Sequence, residues 1–534
     1  MKLLTLSLTS ALVLCAPLYA HAAVDEAGAA ALAQQINAAL KDIGGMTANG
    51  DVTVKVSGDG FDVALPGLSD TRPNSNNKFT ILPVTAHMVP VSETNYKYTA
   101  TLPSPFLTIT GSDGQPKASA TVGQQQISGE WDSKNHFYPS AVAVLKDTAI
   151  TDAKGEFTFR IAELGLVSQT TMVSEDHADG QASLNMRGLN LVFTDSSSGN
   201  SGQMKINAVG ITSEIRNYDV ASINRIREEA RALQGSAKPS ATQAMSFFGS
   251  LFGAATPQQT AGSSGSKFSF VLNNLDLTIG KVEGATPTHI VLPLLKFNGT
   301  ASSTDDNLVD LGIQYEHAGL NAAPLPSAVI GDVLPAGIKL DLALNHLPVA
   351  DLFKQAADAV ATAMASKPAA DGSAPATAPA PTAIDHYHAA LALMEKSQTA
   401  LNVNQISYTA KAINSNTQGV IKVAQASPIG AIGNIDTRLN GVQELVAKLS
   451  QAMQSQQAQP DPMVQNVMMA LSTVQMFGQQ VPNAAPSGLM YKLELTPEGA
   501  IKMNGNDLSA MAGAMGGGNR RRVPAHAEEG EIQP

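Results

Sequence analysis

From Val52 onward the chain is dominated by short runs in which apolar and polar residues alternate, the period of a strand with one buried face. In DVTVKVSGDGFDVALPG, Val52, Val54 and Val56 alternate with polar residues, Ser57-Gly58-Asp59-Gly60 supplies a turn, and Phe61, Val63 and Leu65 resume the alternation. That pattern predicts a hairpin with one buried face. Similar runs at 79–84, 96–102, 106–110, 141–145, 157–166, 184–193 and 204–215 predict a large antiparallel sheet. Three segments share an irregularity: Leu184-x-Met186-x-x-Leu189-x-Leu191, Met204-x-Ile206-x-x-Val209-x-Ile211 and Phe270-x-Leu272-x-x-Leu275-x-Leu277. The extra residue resets the alternation and predicts a bulge or tight bend.

Helical spacing interrupts the strands at intervals. Leu32, Ile36 and Leu40 fall four apart before Gly44-Gly45, and Ile223, Ile226, Ala230 and Leu233 share one face after Asp219 or Ser222 as N-cap, predicting amphipathic helices. Strands restart at KFSFVLNNLDLTIG, continue through GIKLDLALNHL, and pass into the helical pattern PVADLFKQAADAVATAMASK. The strand-to-helix steps NYDVASI (217–223) and NHLPVADL (345–352) look alike, and IGNIDTRLNGVQELVAKLSQAM, with a helix from about Leu439, is a weaker third. The expected fold is α+β: mainly antiparallel, extended curved sheets in a duplicated sheet-plus-helix arrangement, with amphipathic helices covering one face. The expected divisions are a leader at 1–22, an N-terminal β-rich unit at 23–218, and a helix with spacers and a Phe-rich patch at 219–266. A second β-rich unit with its helix follows at 267–366, then a Pro/Ala linker at 367–382, C-terminal helices and strands at 383–508, and a disordered tail at 509–534. LMYKLELTPEGAIKMNGNDL is read as a closing hairpin turning at Pro497-Glu498-Gly499.

Composition adds the compartment. Lys2, an apolar stretch from Leu3 to Leu18 and Ala20-His21-Ala22 make a secretory signal cut after Ala22. Leu14 before Cys15 is too large for a lipoprotein box, and the apolar run, broken by Pro17, is shorter than the roughly 20 residues of a spanning helix. Cys15 is the only cysteine, so the cleaved chain has no disulfide, thiolate metal site or cysteine nucleophile. The 34 basic and 45 acidic residues, net −11, form no concentrated basic face, which argues against nucleic acid. A periplasmic protein, with membrane association as an open option, is the expectation.

Catalytic signatures are missing: no G-x-S-x-G elbow, phosphate loop, dinucleotide fingerprint, H-E-x-x-H or EF-hand loop. No catalytic residue, metal or cofactor is therefore assigned, and the chain is read as a non-enzyme. In Asp385-His386-Tyr387-His388, residues two apart on a helix diverge by about 200°, which favours an N-cap aspartate with surface histidines over a zinc site. Glu175-Asp176-His177 and Asp305-Asp306 read as solvated loops. Trp131 is the only tryptophan in a chain 5% aromatic, so aromatic sugar platforms are lacking; a hydrolase joining distant carboxylates such as Glu163 and Asp276 remains a remote alternative. A membrane barrel would want aromatic girdles and few internal helices.

Apolar, adaptable segments carry the functional reading. MSFFGSLFGAA (245–255) sets Phe247, Phe248, Leu251 and Phe252 between two polar spacers, and DPMVQNVMMALSTVQMFGQQ starts with Asp461 and Pro462 and aligns Met463, Val467, Ala470, Leu471 and Val474, widened by Val464, Met468 and Met476. Both stretches read either as cover for the protein's own sheet or as contacts to lipid, a membrane surface or a hydrophobic partner.

The strand-to-helix steps YDVASINRIREEA and HLPVADLFKQA, and the closing KMNGNDL with Asn504-Gly505, resemble YdgA-like proteobacterial envelope proteins of unknown function and their alphaproteobacterial counterparts, with AsmA-like proteins more distant. The resemblance covers most of the mature chain as architecture. It implies a periplasmic, non-enzymatic protein with extended, curved sheets, in a group suspected of lipid handling; it supplies no catalytic residues. A protein binding lipid between sheet and helices is the leading expectation, and a structural or interaction protein docking an envelope partner is the alternative.

Overall fold

The computed structural model describes residues 23–41, 46–70, 77–133, 137–195, 197, 199–220, 265–281, 286–303, 308–325, 328–365, 383–455, 462–482 and 487–508. The described chain is mostly antiparallel sheet with a few helices. It opens with helix α1 (Glu26–Lys41) and strands β1 (Met46–Ala48), β2 (Thr53–Ser57), β3 (Gly60–Leu65), β4 (Leu68–Asp70), β5 (Asn77–Ile81), β6 (Val84–Pro90), β7 (Asn95–Thr101), β8 (Leu107–Gly111), β9 (Pro116–Thr121) and β10 (Gln124–Asp132). The long strands follow: β11 (Phe137–Asp152), β12 (Phe157–Met172), β13 (His177–Asp195), β14 (Asn200–Asp219), β15 (Gly265–Lys281) and β16 (Thr288–Ser303). The third stretch holds β17 (Val309–Ala318), β18 (Asn321–Ala323), α2 (Ala328–Val333), β19 (Gly337–Leu347), α3 (Val349–Ala365) and α4 (Ala383–Lys396). Last come β20 (Ala400–Thr409), β21 (Asn414–Val423), β22 (Ala431–Asn440), α5 (Val442–Ser455), α6 (Pro462–Phe477), β23 (Gln479–Val481), β24 (Gly488–Leu495), β25 (Ile501–Met503) and β26 (Asn506–Asp507).

Strand β11 divides the N-terminal part. Its first half pairs with β10, which continues through β7, β6, β3 and β2; its second half pairs with β9, which continues through β8, β5, β4 and β1. Between these two branches lies the main core. Leu32, Ile36 and Leu40 of α1 are buried there with Phe61, Val63, Tyr96 and Trp131, so the helix and hairpin expected from the spacing both form. Asp25 caps α1 by accepting from the Gly28 amide (2.7 Å). Tyr96 and Trp131 stack with centroids 5.5 Å apart, so the single tryptophan is structural.

Beyond β11 the sheet is a meander of long, adjacent strands. They run much further than the alternating cores from which they are predicted; β12 continues through the polar Ser168-Gln169-Thr170-Thr171. A ladder needs paired backbones, not apolar side chains, so polar positions extend wherever a neighbour exists. The ladder also crosses both expected boundaries: β14 pairs with β15 from Asn200↔Lys281 to Arg216↔Gly265, and β19 pairs with β20 from Gly337↔Thr409 to Asn345↔Ala400. Residues 221–264 and 366–382, like the leader and the tail beyond 508, lie outside the described residues.

The reset in alternation is a crease running straight across the sheet. Asp147, Ala162, Gly188, Asn207, Asn274 and Pro293 fall opposite one another on β11–β16 and are all skipped in the pairing, while the register on either side is unchanged. Every second strand meets the crease with a left-handed residue: Asp147 (φ 54), Gly188 (φ 62) and Asn274 (φ 53), the residue types that tolerate that region. The consequence is that Ile161 and Leu164, three apart, are both buried in the same core.

The two similar strand-to-helix steps share a geometry. Asn217 (φ 48) donates its amide to Asp179 Oδ1 at 2.7 Å, and His346 (φ 58) donates its amide to Asp310 Oδ1 at 2.6 Å, each beside a register shift in the neighbouring strand. The matching residue is thus His346 and not Asn345. The third step differs: strand β22 runs through Asn440, paired to Asn414 and Gly488, and Gly441 (φ 85) turns the chain into α5. The expected helix start at Leu439 is corrected to Val442, because strand pairing and a left-handed glycine hold residues 439–441 out of the helix. Asp385 likewise lies in the first turn of α4, which starts at Ala383, and is not its N-cap.

Candidate functional site

One face of the sheet is largely apolar, and among the described residues its two buried cores lie towards the two ends. At the N-terminal end the cover is the branch structure around Trp131, which reaches as far as Phe270, Leu272 and Leu275 of β15. At the C-terminal end α5 and α6 seat Val442, Leu445, Leu449, Val464 and Leu471 over Leu439, Leu489 and Tyr491, and the Tyr491 hydroxyl donates to Val474 O of α6 at 2.7 Å.

Between the two covers, cross-strand register lines up apolar rows. One runs Phe270, Phe297, Tyr315, Leu340, Ile406; the next runs Phe268, Gly299, Ile313, Leu342, Val403. A third runs Ala301, Leu311, Leu344, Leu401, Ile421. Phe268 is 42% exposed, Phe297 37% and Ile313 46%, and the two phenylalanine rings lie 6.2 Å apart. The exposed stretch runs from β15 to β17, roughly 10 Å at the usual strand spacing, and Val403 of β20, in the same row as Ile313, is buried. His317, buried at the edge of this face, has both ring nitrogens engaged: Nε2 lies 3.3 Å from Pro335 O, so it donates there, and Nδ1 accepts from the Tyr315 hydroxyl at 3.0 Å.

The opposite face is polar. A groove of about 530 Å³ on it is lined by Gln181, Ser183, Thr212, Glu214, Lys267, Ser269, Asn298 and Gln314, and a neighbouring one of about 350 Å³ by Gln169, Asp179 and Arg216. Gln181 donates to Gln169, Asn298 to Gln314, and Gln314 to Asp341. The carboxylates that line these grooves are engaged: Glu214 is tied to Arg216, and Asp179 accepts from the Asn217 amide.

The sequence-derived site residues are partly placed. Phe247, Phe248, Leu251 and Phe252 lie outside the described residues. Met463 belongs to α6, whose first residue is Pro462 as the sequence indicates. Leu471 is buried, and Val467 and Met468 are partly buried against the α5 cluster, so these three cover the protein's own sheet. What α6 turns outward is Met469, which lies off the predicted stripe, and Met476, which the spacing placed among the residues widening that stripe. The remote carboxylate pair is not assembled: Glu163 lies 3.8 Å from Arg187 and Asp276 2.9 Å from His289, and three strand spacings, about 14 Å, separate them. Among the described residues no cluster of three His, Cys, Asp or Glu side chains could hold a metal, and no helix is long and apolar enough to cross a membrane. The exposed apolar residues could not be named from the sequence because each strand shows the same alternation as its covered neighbours; register and packing together show which of them are exposed among the described residues. Comparison with family models, curated proteins and solved structures finds no match to this chain.

Proposed function

We propose that this is an exported, non-enzymatic envelope protein that holds the acyl chains of a lipid on the open apolar face between its two cores. The observation that carries the reading is the exposure of Phe268, Phe297 and Ile313 on three neighbouring strands of the apolar face. Each methylene laid on such a surface contributes about 0.8 kcal/mol, so a bound chain needs no specific polar contact. The leader-like Met1–Ala22 segment supports the export, and the shared junctions at Asn217 and His346 support an origin by duplication of a sheet-plus-helix unit.

Native mass spectrometry of the protein isolated from a bacterial envelope should detect co-purifying lipid, and a fluorescent fatty acid should bind saturably and be displaced by phospholipid. Paired Phe297→Asp and Ile313→Asp changes should weaken the probe by tenfold or more, roughly the 1.4 kcal/mol that two buried methylenes supply. Lipid-free protein that ignores the probe, or undiminished binding by the double variant, would refute the reading.

A further inference from the structure

We infer that Gly299 of β16 is the floor of a slot that takes one straight acyl chain. The inference rests on the lipid reading above and names the residue that decides which chain fits. A glycine inside a strand weakens it, and its usual reasons are a left-handed backbone, a bulge or the close approach of another group. Gly299 is not left-handed, and the register runs unbroken through its pairs with Phe268 and Ile313. A Cβ built on it meets no described atom within 4 Å, whereas those of Gly202 and Gly312, also inside strands, would strike the Phe193 ring and the Thr300 hydroxyl. The other described glycines with such open space, Gly58, Gly114, Gly155, Gly199 and Gly505, are all left-handed and reverse the chain between strands. Close approach by a group outside the described chain is the reason left for Gly299.

The notch lies in the middle of the exposed apolar residues. Phe268 and Ile313 are its cross-strand neighbours, and Phe297 and Ala301 stand two residues to either side on the same face of β16. Two strand spacings, roughly 10 Å, separate Phe268 from Ile313. A carbon over Gly299 is therefore within reach of carbon–carbon contact, about 3.5–4.0 Å, with both walls at once. That width suits a single methylene chain and leaves no room for methyl branches. Phe297 closes one end of the slot, whereas the floor continues the other way over the small Ala301, beside the exposed Ser266 of β15. A bound chain thus ends against Phe297 and leaves past Ser266. None of these side chains is ionisable, so the slot selects by width and not by charge.

The test uses the full chain and a fluorescent straight-chain fatty acid, displaced by straight or multiply methyl-branched acids of equal length, in wild type, Gly299→Ala and Gly299→Leu. Wild type should bind the probe and release it to the straight acid at several-fold lower concentration than to the branched one. Affinity should fall about fourfold in Gly299→Ala, roughly the loss of one methylene's burial, and tenfold or more in Gly299→Leu. The thermal transition of both variants should stay level or rise, because a strand gains by losing a glycine where nothing is displaced. Probe binding by Gly299→Leu equal to wild type, or displacement blind to branching, would overturn the slot and leave the lipid reading standing. A lowered transition in Gly299→Leu would show that the folded chain fills this space itself, and would overturn the slot as well. Wild type that ignores the probe refutes the lipid reading, and the slot with it.

Discussion

The N-terminal core and the middle of the sheet are written in the same pattern yet end in different environments. Around Trp131 the apolar face is closed by two strand branches and α1, leaving Tyr96 1% and Trp131 2% exposed. Several strands further along the same ladder, Phe297 and Ile313 occupy equivalent alternating positions and are 37% and 46% exposed. The comparison teaches that alternation specifies a face but not its cover. A face left open between two closed ends is therefore a property of the assembled sheet.

The largest effect expected from this contrast is at Trp131. Truncation to alanine should cost about 3–5 kcal/mol of unfolding free energy, as large aromatic deletions in a core do, while Phe297→Ala should cost less than about 1 kcal/mol because it leaves no sealed cavity. Denaturant unfolding of the two variants measures the difference; equal losses would mean the middle face is covered in solution. Next comes the closure of the C-terminal end. Asn504 stands left-handed at φ 52, donates its side-chain amide to Phe477 O and Met490 O, and accepts from the Lys492 amide, so it plugs the free edge of β24 between β23 and β25 and ties it to α6. Asn504→Ala should cost about 1–3 kcal/mol and speed hydrogen exchange in β24 and α6 while leaving β11–β13 unchanged.

A comparable loss, at least about 2 kcal/mol, is expected for Gly441→Ala, because φ 85 is strained for an L side chain and its Cβ would meet Ala412 O at 2.1 Å, which only a backbone shift relieves. The smallest is pH-linked. Hydrogen bonds from the Ser487 side chain and amide hold the Glu444 carboxyl below its ordinary value of 4.5. A carboxyl lowered in the folded state stabilises above its unfolded pKa, and that contribution fades as pH falls through the folded value. Acid titration below about pH 4.5 should therefore loosen the α5–β24 junction slightly more in wild type than in Glu444→Gln, read by exchange at Ser487 and Leu489.

Much of this was legible beforehand. The hairpin at 53–65, α1, the Pro497-Glu498-Gly499 turn and the x-x resets could be read because each depends on local geometry: a period, a turn residue, or one extra residue in a strand. The resets even identify the crease, although not that six strands align it. The candidate site was less legible. Val467, Met468 and Leu471 were singled out from helical spacing and belong to a core with α5, because an apolar stripe does not say whether its partner is the same chain. Met469 lay in the same window off the aligned stripe, and Met476, which was read as widening it, is exposed.

The sequence by itself determined the strand and helix types, the apolar side of each, and the points where the chain must turn, since these follow from backbone preferences over a few residues. Only the tertiary structure decided that the strands on either side of residues 221–264 and 366–382 join into one ladder, that buried cores form towards its two ends, and that Phe297 and Ile313 are exposed between them. Those outcomes depend on register and on which long-range surfaces meet, and pairings between residues far apart in sequence leave no mark on the local alternation of either partner.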